Sequence, residues 1–200
     1  RYYGHITSEN TSPVKNKRYL ISFHGNATSI DNVVSFAQTL ANKLHRVQQD
    51  TEWHILSPEY LGYCPDTYHK GYPSERDLVQ DMYHAVLELQ NKFKFTNAET
   101  VLIGRSIGTG IVCAVLQKLN HDIPKIVLIS PFTSIKQIVR DCAGSLCHIM
   151  AERFNNKKCL AKYQGDVTII HSTDDEVIPF SHAKELVRYM IEEHENDNVI

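Results

Sequence analysis

Gly104-Arg105-Ser106-Ile107-Gly108 sets a serine between two glycines, directly after the apolar run Val101-Leu102-Ile103 and just before Ile111-Val112-Cys113-Ala114-Val115-Leu116. A strand, a sharp turn and a helix in that order form a nucleophile elbow. Strain at the serine backbone holds its hydroxyl out at the carboxyl end of a sheet. The flanking glycines remove Cβ atoms that would collide with the strand or the helix start. The N–H of Ile107, at the helix N-terminus, can then donate to an oxyanion developing on a substrate carbonyl. The chemistry is acyl transfer through Ser106, which needs a base to take the hydroxyl proton and an acid to orient that base. The pentapeptide alone recurs by chance, so its setting must decide.

The setting is a chain in which strands alternate with helices. Tyr19-Leu20-Ile21-Ser22-Phe23 reads as a buried strand, and Ile30, Val33, Ala37, Leu40, Ala41 and Leu44 then recur at helical spacing. Trp53-His54-Ile55-Leu56 is a second strand, followed by a Gly/Pro/Tyr-rich loop over residues 58–73. Ser74 is the expected N-cap of a helix whose apolar stripe is Leu78, Met82, Val86 and Leu89. Lys125-Ile126-Val127-Leu128-Ile129 and Val167-Thr168-Ile169-Ile170 are further strands, and Ala183, Leu186, Val187, Met190 and Ile191 mark a last helix. The pattern predicts an α/β fold with a mostly parallel sheet covered on both faces. Ligands of such sheets sit at the carboxyl ends of the strands. His24-Gly25-Asn26, residues 60–63, Ser106, Ser130-Pro131 and Asp174-Asp175 all fall there.

The 200 residues suffice for one domain with a full core. A formal charge of −2 gives no electrostatic footprint for nucleic acid. The apolar runs are strand-sized, too short to span a bilayer. An anchor before Arg1 would lie outside this sequence, which leaves room for peripheral membrane association. The five cysteines, Cys64, Cys113, Cys142, Cys147 and Cys159, include no C-x-x-C pair and read as free thiols of a reducing compartment. Cys142, Cys147 and His148 fit no common zinc spacing. A glycan on the second of two sequons, Asn26-Ala27-Thr28, would block the loop beside the first strand. Both points favour the cytoplasm.

With the Ser106 elbow, His24-Gly25-Asn26-Ala27 and the segment His171-Ser172-Thr173-Asp174-Asp175-Glu176-Val177-Ile178-Pro179 make the chain resemble the α/β-hydrolases. It is similar to the small serine hydrolases that include the domain-containing-17-type protein depalmitoylases and their membrane-associated relatives. The resemblance covers roughly residues 18–200, in the order the fold requires. It implies hydrolysis of a carboxylic ester or thioester on fatty-acylated proteins or lipids, with no metal or organic cofactor. Ser106 matches the nucleophile. The acid of D-x-x-[VI]-P falls on Asp175, with Asp174 the alternative, and a solvated turn or helix cap is the bland reading of both. The second oxyanion donor matches the N–H of Asn26, in a loop where Asn26 or Ser29 equally suits a helix cap. Residues 132–165 stand where a short lid is expected within a single domain over 1–200. Phe132, Ile135, Ile138, Val139, Leu146 and Met150 there suit an acyl groove or plain packing on the sheet.

The sequence departs from the pattern at Ser172, where glycine is usual, and at Cys64. More seriously, the resemblance implies a base histidine beyond the acid, after one helix and one strand. The 200 residues end where that strand is expected to start. Only His182 and His194 follow Asp175, both on the expected last helix, and neither reads as the base; His24 reads as a buried structural histidine. A catalytically inactive hydrolase-fold binding protein is therefore the competing reading. Nucleotide binding fails, because Gly108-Thr109-Gly110 has no third glycine near Cys113, no acid ends the next strand, and no Gly-Lys-Ser/Thr occurs.

Overall fold

A computed structural model describes residues 3–8, 15–25, 30–62, 74–143 and 152–196. Among the described residues six strands form one sheet: β1 (Tyr3–Thr7), β2 (Asn16–Phe23), β3 (Thr51–Pro58), β4 (Thr100–Arg105), β5 (Lys125–Ile129) and β6 (Asp166–Ile170). Their order across the sheet is β1-β3-β2-β4-β5-β6, parallel except for β1, which runs antiparallel to β3. The helices are α1 (Ile30–Val47), α2 (Glu75–Phe93), α3 (Ile107–Lys118), α4 (Ile135–Ala143), α5 (Asn156–Leu160) and α6 (Ser181–Asn196).

The two faces of the sheet follow from the two-residue alternation of the strands. Tyr19, Ile21, Phe23, Leu56, Leu102, Ile126 and Leu128 enter the larger core with α2, α3, α5 and α6. Leu20, Ile55 and Ile103 turn to the other face and meet Ala37 and Ala41 of α1. Ile21 stands in register between Leu56 and Leu102, and none of the three is exposed. Burying each such side chain contributes roughly 1.5–3 kcal/mol, so the centre of the sheet is a firm base for the loops at its carboxyl end.

Every strand expected from the sequence is present; the one over Lys125–Ile129 has the expected ends and the others are longer. Ser74 caps α2 as expected: its hydroxyl accepts from the Asp77 N–H at 3.2 Å. Strand β1 was not expected, because its pairing with β3 spans some fifty residues and leaves no local periodicity. Among the described residues no helix is long and apolar enough to cross a membrane.

Candidate active site

Ser106 is the single residue between β4 and α3, with φ 52° and ψ −121°, a strained conformation for a side chain with a Cβ. Hydrogen bonds hold it from both sides. Its N–H donates to the Ile129 carbonyl at 2.9 Å, and its carbonyl accepts from the N–H and hydroxyl of Thr109 at 2.9 and 2.7 Å. The hydroxyl has no hydrogen-bond partner among the described residues. Ile107 opens α3, so its N–H is one of the unpaired donors at a helix start.

The glycines around the serine are steric requirements. A Cβ on Gly104 would lie 2.4 Å from the Gly108 carbonyl oxygen, and one on Gly108 would lie 2.2 Å from that of Phe23. Gly110 packs against the Phe154 ring, where a Cβ would come within 2.7 Å. The glycines of Gly108-Thr109-Gly110 thus serve helix–strand and helix–ring packing.

Asp175 stands in the loop after β6, at the same end of the sheet as Ser106. Its Oδ1 accepts from the N–H groups of Val177 at 3.0 Å and Ile178 at 2.8 Å. Burial pushes its pKa up, but the Ile178 N–H, the Ser130 hydroxyl, the Val177 N–H and His171 together outweigh it and leave the pKa lowered. Ser130 directly follows β5, the strand between those leading to Ser106 and Asp175. Its own N–H continues the ladder to the Ile170 carbonyl at 2.8 Å. Asp174 points outward, fully exposed, and takes the Ser172 hydroxyl, which lowers its pKa. Of the two carboxylates, Asp175 is the inner one, with its side chain 17% exposed.

The histidines take structural places. The side chain of His171 is buried, donates from Nε2 to the Ile178 carbonyl at 2.7 Å, and lies 3.6 Å from Asp175 Oδ2, so it braces the acid loop. His182 fixes α6 to the start of the expected lid. Its Nδ1 accepts from the Thr133 N–H at 3.3 Å and lies 3.0 Å from the Thr133 hydroxyl, and its Nε2 is 3.1 Å from Asp141 Oδ2. The side chain of His194 lies outside the described residues.

The loop after β2 is described through Gly25, where an added Cβ would be in ordinary contact with the Ser106 Cβ at 3.6 Å. Asn26 and Ser29 lie outside the described residues. His24 is buried as expected. It is held by Glu59, whose Oε1 is 3.0 Å from His24 Nε2, and by Tyr60, whose ring stacks on it at 3.9 Å. Tyr60 is therefore a packing residue, while Tyr63 and Cys64 lie outside the described residues. Glu59 was missed from the sequence. The only available signal is an acid at the carboxyl end of a strand that happens to neighbour His24.

In the expected lid, Phe132 is fully buried in the core and Ile135 and Ile138 pack against it, which favours packing over an acyl groove. Leu146 and Met150 lie outside the described residues, as do Cys147, His148 and the Cys142 side chain. Asn156 ties this segment to the elbow helix, donating to the Phe132 carbonyl at 2.8 Å and to the Thr109 hydroxyl at 3.4 Å. Cys113 and Cys159 are buried free thiols, and the Cys159 contact, with burial, holds the Cys113 thiol well above its usual pKa. A cleft of about 460 Å³ opens at the strand ends on the α1 side, lined by Phe36, Arg105, Ser130, Ile170 and His171 among others.

Comparison with known proteins agrees with this architecture. The alpha/beta hydrolase domain-containing protein 17B of Homo sapiens is 31% identical over 170 residues, covering 84% of this chain and 54% of the relative. The alpha/beta hydrolase domain-containing protein aho-3 of Caenorhabditis elegans is 30% identical over 172 residues, covering 86% and 48%. The chain thus spans about half the length of the curated relatives it matches. Among solved structures, Est1E from Butyrivibrio proteoclasticus with bound ferulic acid superposes with a TM-score of 0.69 at 14% identity, over 94% of this chain and 81% of that one. Esterase PE8 gives 0.60 at 14% identity, over 95% and 84%. A family model described as serine aminopeptidase, S33, matches residues 14–188. Carried by that match and by the relatives, the chain belongs to the α/β-hydrolases.

Proposed function

We propose that the protein is a serine hydrolase that cleaves a carboxylic ester or thioester through an acyl-enzyme on Ser106. The observation that carries this reading is the positive-φ elbow, which leaves the Ser106 hydroxyl unbonded among the described residues at the sheet end where Asp175 also stands. In this reading a histidine oriented by Asp175 takes the Ser106 proton as Oγ attacks the acyl carbon. The tetrahedral oxyanion is held by the N–H groups of Asn26 and Ile107. The histidine then protonates the leaving alcohol or thiol, and by the reverse steps activates water to release the acid. His24, His171 and His182 make the contacts described above, and in this reading the base comes from outside the described residues.

The acyl donor is a fatty-acylated protein or lipid, a reading supported by the resemblance to the depalmitoylase-like hydrolases. The site is cytoplasmic in this reading, with peripheral association at a membrane. The test is turnover of matched p-nitrophenyl esters and acyl thioesters of increasing chain length by the full chain and by Ser106→Ala. Turnover lost in Ser106→Ala supports the reading. Absence of turnover with a folded full chain favours the binding-protein reading instead.

A further inference from the structure

Resting on that reading, we propose that Thr109 is a positioning residue: its hydroxyl, set by Asn156, locks the Ser106–Ile107 peptide so that the Ile107 N–H faces the substrate oxyanion.

A backbone as strained as that of Ser106 persists only where its surroundings over-determine it. On the amino side the Ile129 carbonyl does so, taking the Ser106 N–H at 2.9 Å. On the carboxyl side both donors come from one residue. The N–H and hydroxyl of Thr109, at 2.9 and 2.7 Å, converge on the Ser106 carbonyl. In a planar trans peptide the N–H lies opposite the C=O. Holding the Ser106 carbonyl towards Thr109 therefore turns the Ile107 N–H the other way, out past the first turn of α3.

The Thr109 hydroxyl is itself oriented. The Phe132 carbonyl only accepts, so the group facing it at 2.8 Å is Asn156 Nδ2. The same Nδ2 lies 3.4 Å from the Thr109 hydroxyl oxygen. That oxygen receives the amide, which leaves its single proton for the Ser106 carbonyl. Thr109 and Asn156 are both fully buried, away from any competing solvent. Asn156 Oδ1 has no partner among the described residues, a cost that an apolar side chain would not incur. What the amide provides is the donation from its nitrogen, which joins the segment after β5 to the serine turn. Phe154, two residues earlier, seats its ring on Gly110, so residues 154–156 grip the first turn of α3 at two successive positions.

The test compares two variants of the full chain. Thr109→Val keeps the shape and loses the hydroxyl; Thr109→Ser keeps the hydroxyl and loses a methyl. The readouts are kcat and KM for a short-chain p-nitrophenyl ester, and inhibition by an aryl trifluoromethyl ketone, whose adduct with a serine carries an oxyanion. The Thr109 N–H remains in Thr109→Val, so the expected loss of kcat is roughly 5- to 20-fold, below that of deleting an oxyanion donor outright. KM should stay within about 2-fold and ketone inhibition should weaken in step with kcat, because the donor acts in the transition state. Thr109→Ser should stay within about 3-fold of wild type in every readout. A role confined to helix capping would lower the urea midpoint of Thr109→Val and leave kcat and ketone inhibition unchanged. That result, or equal losses in the two variants, would overturn the proposal. Should Thr109→Val fail to fold, Thr109→Ala, which lacks the hydroxyl and adds no bulk, takes its place under the same expectations. An inactive wild type, indistinguishable from Ser106→Ala, would overturn the hydrolase reading and this proposal with it. An active wild type with a fully active Thr109→Val would overturn this proposal alone.

Discussion

Gly108 lies so close to Phe23 that a Cβ at position 108 would meet the Phe23 carbonyl oxygen at 2.2 Å. The first turn of the elbow helix is therefore seated on the end of β2, the strand that leads into the His24-Gly25 loop. The serine turn and the end of β2 are thus held together by direct backbone contact.

That contact makes Gly108→Ala costly. The helix must lift off β2, and an overpacked backbone contact of this kind costs about 1–3 kcal/mol. Urea unfolding should show the loss, with ester turnover falling further as the elbow shifts. Gly25→Ala meets only contacts of 3.6 Å and should unfold within about 0.5 kcal/mol of wild type. Comparable stability of the two variants would refute the steric argument.

Ser106 stores strain that glycine would not feel. Ser106→Gly and Ser106→Ala should both be inactive, yet Ser106→Gly should be the more stable by about 1 kcal/mol, the strain relieved exceeding the added chain entropy. Thermal unfolding of the pair checks this. Ser106→Ala unfolding at the higher temperature would mean that φ 52° carries no strain.

Asp174 and Asp175 should separate cleanly. Asp175→Asn can still accept from the Val177 and Ile178 N–H groups, so the loop should keep its shape while kcat falls by about 10²–10⁴. Asp174→Asn, at a fully exposed position, should stay within about 2-fold of wild type. Steady-state kinetics of both variants decide, and the opposite ranking would move the acid to Asp174.

Acid should weaken the fold before the carboxylates titrate. Burial lowers the pKa of His5, His54, His121 and His182. Below about pH 6.5 the unfolded chain takes up protons that these rings in the folded state do not. Their contribution is present above that pH and is lost as pH falls towards the lowered folded values. Urea midpoints should therefore decline between pH 7.5 and 5.5, and less steeply in His182→Gln. A flat profile would contradict the burial seen for these rings.

Much of this was legible in the sequence because it is local. The elbow shows as two glycines around a serine between an apolar strand and an apolar helix, and the Ser74 cap directly precedes its stripe. What was hidden depends on pairing between distant segments. Strand β1 is defined by its register with β3, Tyr3 against Pro58 and Thr7 against His54. Glu59 matters only because β3 lies beside β2, and His182 only because α6 reaches back to Thr133 and Asp141. Phe132, suited by type to an acyl groove or to packing on the sheet, is a core residue, a distinction that residue type cannot make.

Whether Ser106 is an activated nucleophile is read most directly from the intact mass of the full chain after exposure to a fluorophosphonate, with peptide mapping of the adduct. The expected result is one phosphonyl group per chain, carried by Ser106 and absent from Ser106→Ala. An unmodified folded chain, or an adduct on another residue, would contradict it.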